Sequence, residues 1–72
     1  MNKTRNNIEA GDTVQYIGPS RINQRHGQFA DGVLKRGKRY TVSFVFLGED
    51  FEQLELAEEP DHLFIHDQFI KR

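Results

Sequence analysis

Residues 37–47 read Gly37-Lys38-Arg39-Tyr40-Thr41-Val42-Ser43-Phe44-Val45-Phe46-Leu47. Tyr40, Val42, Phe44 and Phe46 alternate with Thr41 and Ser43, the two-residue period of a strand with one buried face. Val45 and Leu47 break that alternation, so the end of the strand is expected to be buried on both faces or bulged.

Outward from this strand, turn signals and short apolar runs follow one another. Gly48-Glu49-Asp50 is a suitable hairpin turn. Residues 51–56 read as its partner strand, with Leu54 and Leu56 inward and Gln53 and Glu55 outward. Pro60-Asp61 marks a break, residues 63–65 a short strand, His66-Asp67-Gln68 a tight turn and Phe69-Ile70 a closing strand. Upstream, Gly11-Asp12 opens a strand over 13–17 that Gly18-Pro19-Ser20 ends. Residues 21–31 are polar and without sustained period, a long loop or irregular hairpin for which Ile22 and Phe29 are the expected anchors. Val33-Leu34 is a brief apolar step before the basic turn Lys35-Arg36-Gly37-Lys38-Arg39. No helical period runs for ten residues, whereas five short strands do recur. The expected fold is mostly β, a small five-stranded barrel.

The chain has 72 residues and no Cys, so neither a disulfide nor a thiolate zinc site can supplement its core. Its six Phe are the main material for that core. Met1-Asn2-Lys3-Thr4-Arg5-Asn6-Asn7 lacks an apolar stretch, so residues 1–8 read as a flexible leader and 9–72 as the single domain. With no candidate membrane span, the expectation is a cytoplasmic monomer. Net charge is −1, yet it is unevenly spread. Residues 1–40 hold eight Lys/Arg against three Asp/Glu, and residues 41–72 hold two against eight. The result is a dipolar chain, +5 then −6.

Gly11-Asp12-x-Val14, the long loop, Gly37-Lys38-x-Tyr40-x-Val42, Leu54-x-Leu56 and Phe69 together resemble the small SH3-like barrel proteins encoded by bacteriophages and prophages. The resemblance covers residues 9–71. It implies that the loop after the first strand corresponds to the SH3 RT loop, and that His66-Asp67-Gln68 forms a one-turn 3₁₀ segment before the last strand. The chain departs from peptide-binding SH3 domains in having no Trp and no acidic run in that loop.

Four constellations carry possible chemistry. Arg21, Arg25, His26, Lys35, Arg36, Lys38 and Arg39 form a basic set that would neutralise phosphates if loop and turn converge; otherwise it is a solvated loop and turn. An aromatic cage would need Tyr16, Tyr40 and Phe51 exposed together, whereas their positions favour core and rim. His62-x-x-x-His66 would share a helix face, but on a strand the two lie about 13 Å apart, so they read as surface histidines and no metal is expected. Glu49, Asp50, Glu52, Glu55, Glu58, Glu59 and Asp61 read first as a solvated face and second as a surface for a basic partner. With no Cys, no phosphate-cradling Gly-rich motif and no nucleophile elbow, there is no catalytic set and no expected cofactor.

The expected function is therefore non-enzymatic: a phage or prophage accessory module docking on a protein through residues 18–32 or the acidic strand face. Two alternatives are nucleic-acid binding through the basic loop and turn, and a structural subunit of a phage assembly.

Overall fold

A computed structural model of the chain describes residues 3–22, 29–49 and 51–72. Five strands alternate with turns: β1 (Thr13–Tyr16), β2 (Arg39–Leu47), β3 (Glu52–Leu56), β4 (Glu59–Ile65) and β5 (Phe69–Lys71). One helical turn, α1 (Ala30–Val33), precedes β2, and a 3₁₀ turn (His66–Gln68) precedes β5. The strands form one antiparallel sheet in the order β4-β3-β2-β1-β5. That sheet is open, because no ladder joins β4 to β5 among the described residues.

The long strand β2 serves two neighbours in succession. Its first residues pair with β1, Tyr40 opposite Val14 and Thr41 opposite Thr13. From Val42 onward it pairs with β3, Val42 opposite Leu56 and Val45 opposite Leu54. Between Val42 and Phe44 the register slips, because two steps along β2 match one step from Leu56 to Glu55. Ser43 is the extra residue of a β-bulge, and its Oγ donates to the Glu55 carbonyl across the gap.

This bulge reverses which residues of β2 face inward. Tyr40 and Val42 are buried before it and Val45 after it, while Phe44 and Phe46 stand outside. An unbroken alternation of Tyr40, Val42, Phe44 and Phe46 into the core does not occur; the bulged alternative does. An extra residue in a period of two exchanges the faces from that point onward.

β4 contains the expected break without ending there. Leu56 pairs with Glu59 and Glu55 with Leu63, so Pro60, Asp61 and His62 loop out of the ladder. Proline has no N–H to give, and β4, with β3 as its single neighbour, is an edge strand that tolerates it.

The core joins both halves of the sheet. Val14, Tyr16, Tyr40, Val42, Val45, Leu54, Leu56, Phe64 and Phe69 supply its strand residues, and Ala30 and Leu34 close it from α1 and the step beyond. Phe69 meets the Tyr16 ring at 5.7 Å and the edge of Phe64 at 6.1 Å. Rings offset or tilted in this way bury large area without a face-to-face sandwich. Of the two expected loop anchors, Phe29 stacks on Phe64 at 5.5 Å while staying 41% exposed, and Ile22 is exposed as well.

Residues 4–8 are not the free leader that their polarity suggests. Ile8 is fully buried in the core and Thr4 nearly so. The Thr4 Oγ1 accepts the Ile8 N–H, and the Asn6 amide donates to the carbonyls of His66 and Phe69. The Arg5 N–H donates to the Glu52 carboxylate at 2.9 Å. A short polar segment thus docks by hydrogen bonds and one apolar side chain, which leaves no periodic signal in the sequence.

Candidate functional site

On the outer side of the sheet, β2, β3 and β4 align two rows of side chains. Phe44 lies opposite Glu55 and Glu55 opposite Leu63; next to that row run Phe46, Gln53 and Ile65, of which Ile65 is buried. Directly opposed residues share a face, with Cβ atoms about 5 Å apart. Phe44 is 48% exposed, Phe46 41% and Leu63 38%, so all three meet solvent on the same face, with Glu55 between Phe44 and Leu63. The rings of Phe44 and Phe46 touch, with centroids 4.5 Å apart. Leu47, at the end of β2, is also exposed, but it pairs with Glu52 and so stands on the other face from Phe46. Isolated surface apolars are ordinary; here two rings in contact share a face with Leu63, which lies across Glu55 from Phe44.

Glu55 sits within this surface. Its Oε1 accepts the Ser43 Oγ at 2.9 Å, so the bulge that turns Phe44 outward also holds the carboxylate beside it. The other acidic residues of the second half do not make one solvated face. Glu52 points inward and is buried, contrary to the solvated reading, with its carboxylate 3.4 Å from Arg5 Nε and 3.8 Å from His66 Nε2. Glu58 accepts the Thr41 N–H. Glu49 and Asp61 are exposed, and Asp50 lies outside the described residues.

His66 is likewise not a surface histidine. It is buried, and its Nδ1 is 3.1 Å from the Glu52 carbonyl. His62 is exposed and meets Phe29 at 5.6 Å. The two histidines face different surroundings, and no metal-holding group of His, Cys, Asp or Glu occurs among the described residues. Tyr16 and Tyr40 are buried, so no cage forms around them.

The basic set is divided. Arg36 is committed to Asp31 by paired contacts of 3.0 and 2.8 Å, and Asp31 also accepts the Tyr16 hydroxyl at 2.7 Å. The Arg36 guanidinium, then the Tyr16 hydroxyl, hold the Asp31 carboxyl down at about 2. Burial and the adjacent carboxylate push the Tyr16 phenol above its usual range. A Cβ at Gly18 would lie 3.4 Å from the Arg36 guanidinium, so the glycine gives that side chain its close seat.

Lys35, Lys38 and Arg39 remain exposed around Gly37, where the Lys38 Nζ stands 5.4 Å over the Tyr40 ring. Gly37 has φ +85°, a left-handed turn conformation. Arg21 is exposed, and its N–H and that of Ile22 donate to Asp67. Arg25 and His26 lie outside the described residues.

Arg72 joins the turn's cations from the far end of the chain. Its Nε donates to Gln15 Oε1, while Gln15 Nε2 donates to the Gly37 carbonyl. Gln15 is also opposite Arg39 in the β1–β2 ladder. Only the pairing of β1 with both β2 and β5 brings these residues together, so sequence spacing carries no hint of it.

Comparisons with family models, curated proteins and solved structures found no match to this chain. No helix among the described residues is long and apolar enough to cross a membrane.

Proposed function

We propose that this chain is a non-enzymatic protein-docking module that engages its partner through the outer face of β2, β3 and β4. The observation that carries the reading is the exposed Phe44 and Phe46 pair, with Leu63 across Glu55 on the same sheet face. Burying large apolar side chains supplies most of the drive for association, and aromatic rings bring much area at little entropic cost.

The reading includes an SH3-like barrel form for the sheet and a cytoplasmic accessory role in a phage or prophage. The barrel is supported by β2, which is shared between the two halves and bent at the Ser43 bulge, together with the 3₁₀ turn before β5. The phage assignment rests on the resemblance of the turn and strand motifs.

The test is retention of a stoichiometric protein from a lysate of the source cell by the immobilised chain. A variant carrying Phe44→Ser and Phe46→Ser should lose that protein and keep its fold, since neither ring belongs to the core. Equal retention by both would move the docking site elsewhere, and no retention by either would defeat the module reading.

A second reading, nucleic-acid binding, is favoured by Arg72 joining Arg39 across Gln15. It predicts amide shifts on residues 35–39 and 72 with short DNA or RNA, weakening as salt rises.

A further inference from the structure

The outer face has a marked chemical bias. No Lys or Arg occurs between Arg39 and Lys71, while that stretch holds eight Asp/Glu. The ion pairs among the described residues engage Glu52, Asp31 and Asp12. Glu55 takes part in none of them; its contact is the neutral Ser43 hydroxyl. The face therefore combines exposed aromatic rings with a carboxylate set in the same cross-strand row, and no ion pair among the described residues neutralises it.

From this we infer that the occupant of the docking face is a protein segment whose apolar side chains are flanked by Lys or Arg, with Glu55 receiving a cation between Phe44 and Leu63. The inference rests on the docking reading above and adds the chemistry of the partner. A guanidinium or ammonium at this spot meets opposite charge and an aromatic face at once. The segment's apolar side chains would cover Phe46 and Leu63. The Glu55 charge would also hasten encounter with a cationic chain.

The same charge disfavours other occupants. Phosphate-rich nucleic acid or an anionic membrane surface would meet repulsion from Glu55. Two copies joined face to face would oppose the Glu55 carboxylates of both. A head-to-tail pair, with the turn around Gly37 laid on this face, has complementary charge and is separated by the test.

Two peptides of equal length serve as probes, one alternating Leu with Lys and the other Leu with Glu. Each is titrated into ¹⁵N-labelled protein at low and near-physiological salt. The Leu/Lys peptide should shift the amides of residues 44–46, 53–55 and 63, and bind more weakly at the higher salt. Glu55→Lys should weaken it by about tenfold or more. Glu55→Gln, which keeps the acceptor for Ser43, should remove most of the salt dependence; the spectrum itself reports whether each variant is folded.

Equal binding of the Leu/Glu peptide, or unchanged affinity in Glu55→Lys, would overturn the cationic partner. If neither peptide binds while the Phe44 and Phe46 variant still loses its captured protein, the partner chemistry is wrong and the docking face stands. If the peptides fail and that variant also retains the captured protein, the docking reading itself is lost. Sedimentation that shows association in the wild type but not in Phe44→Ser would assign the face to a second copy and overturn the inference.

Discussion

Replacing Ile8 with Ala tests whether the first residues of the chain belong to the fold. Ile8 is fully buried and belongs to the core cluster with Val14, Tyr16 and Leu56. Truncating a buried Ile to Ala removes its transfer free energy and leaves a cavity, together about 2–5 kcal/mol. A chain of 72 residues has roughly 4–11 kcal/mol in all, so the loss is a large share of its stability. For a domain of this size each kcal/mol lowers Tm by about 4–8 °C, so the variant should melt at least about 8 °C below wild type.

Urea unfolding followed by circular dichroism gives the free energy, and a calorimetric scan gives Tm. Ile8→Val, which leaves most of the volume filled, should cost only about 0.5–1.5 kcal/mol. The anchors around Ile8 make the same point by another route. Asn6→Ala would leave the carbonyls of His66 and Phe69 without its amide, and the expected loss is about 1–3 kcal/mol. If Ile8→Ala and Asn6→Ala both fall within about 0.5 kcal/mol of wild type, the range of an ordinary surface substitution, residues 4–8 are not docked and the reasoning is refuted.

Two further outcomes follow from the turn region. The Asp31 carboxyl sits at about 2 in the folded chain against 3.8 as the ordinary value, so its contribution is complete above the higher figure and is lost as pH falls through the lower one. The difference in urea midpoint between wild type and Asp31→Asn should therefore shrink as pH is lowered from 4 towards 2; a constant difference would show that Arg36 and Tyr16 do not stabilise the carboxylate. Gly37 has φ +85° and open space around a would-be Cβ, so Gly37→Ala should cost about 1–2 kcal/mol from backbone strain alone, with Gly37→Asn milder. No loss on Gly37→Ala in thermal unfolding would contradict the left-handed turn.

The strand residues and their turns were largely legible before any tertiary contact was known. Thr13 to Tyr16, the run through Tyr40 and Val42, and the alternation of Leu54 and Leu56 with Gln53 and Glu55 carry a period of two that marks extended chain wherever it occurs. The turn at His66-Asp67-Gln68 was legible in the residues, and its 3₁₀ form followed from the resemblance of the motifs. Pro60 signalled an irregularity, but whether it ends a strand or only bulges an edge depends on its neighbour.

The docking face was much less legible. Phe44 and Phe46 follow Tyr40 and Val42 at an even spacing, and by that spacing they belong in the core. What turned them outward was the bulge at Ser43, where the ladder to β3 gains one residue. The mixed run ending in Val45 and Leu47 showed that alternation fails there, but not which face each ring takes.

Local chemistry alone therefore determined the β class, the positions of most strands and turns, the lack of any disulfide and the unequal charge of the two halves. Those properties depend on neighbours in sequence, and periodicity, glycine and composition register them directly. Tertiary structure decided the phase of β2 after Ser43, the burial of Ile8, Glu52 and His66, the division of the basic set and the meeting of Arg39 with Arg72. Each depends on which distant strand supplies the opposite rung of a ladder or the partner of a buried polar atom. Such pairings are chosen by the free energy of the whole packed chain, and no spacing within one segment encodes them.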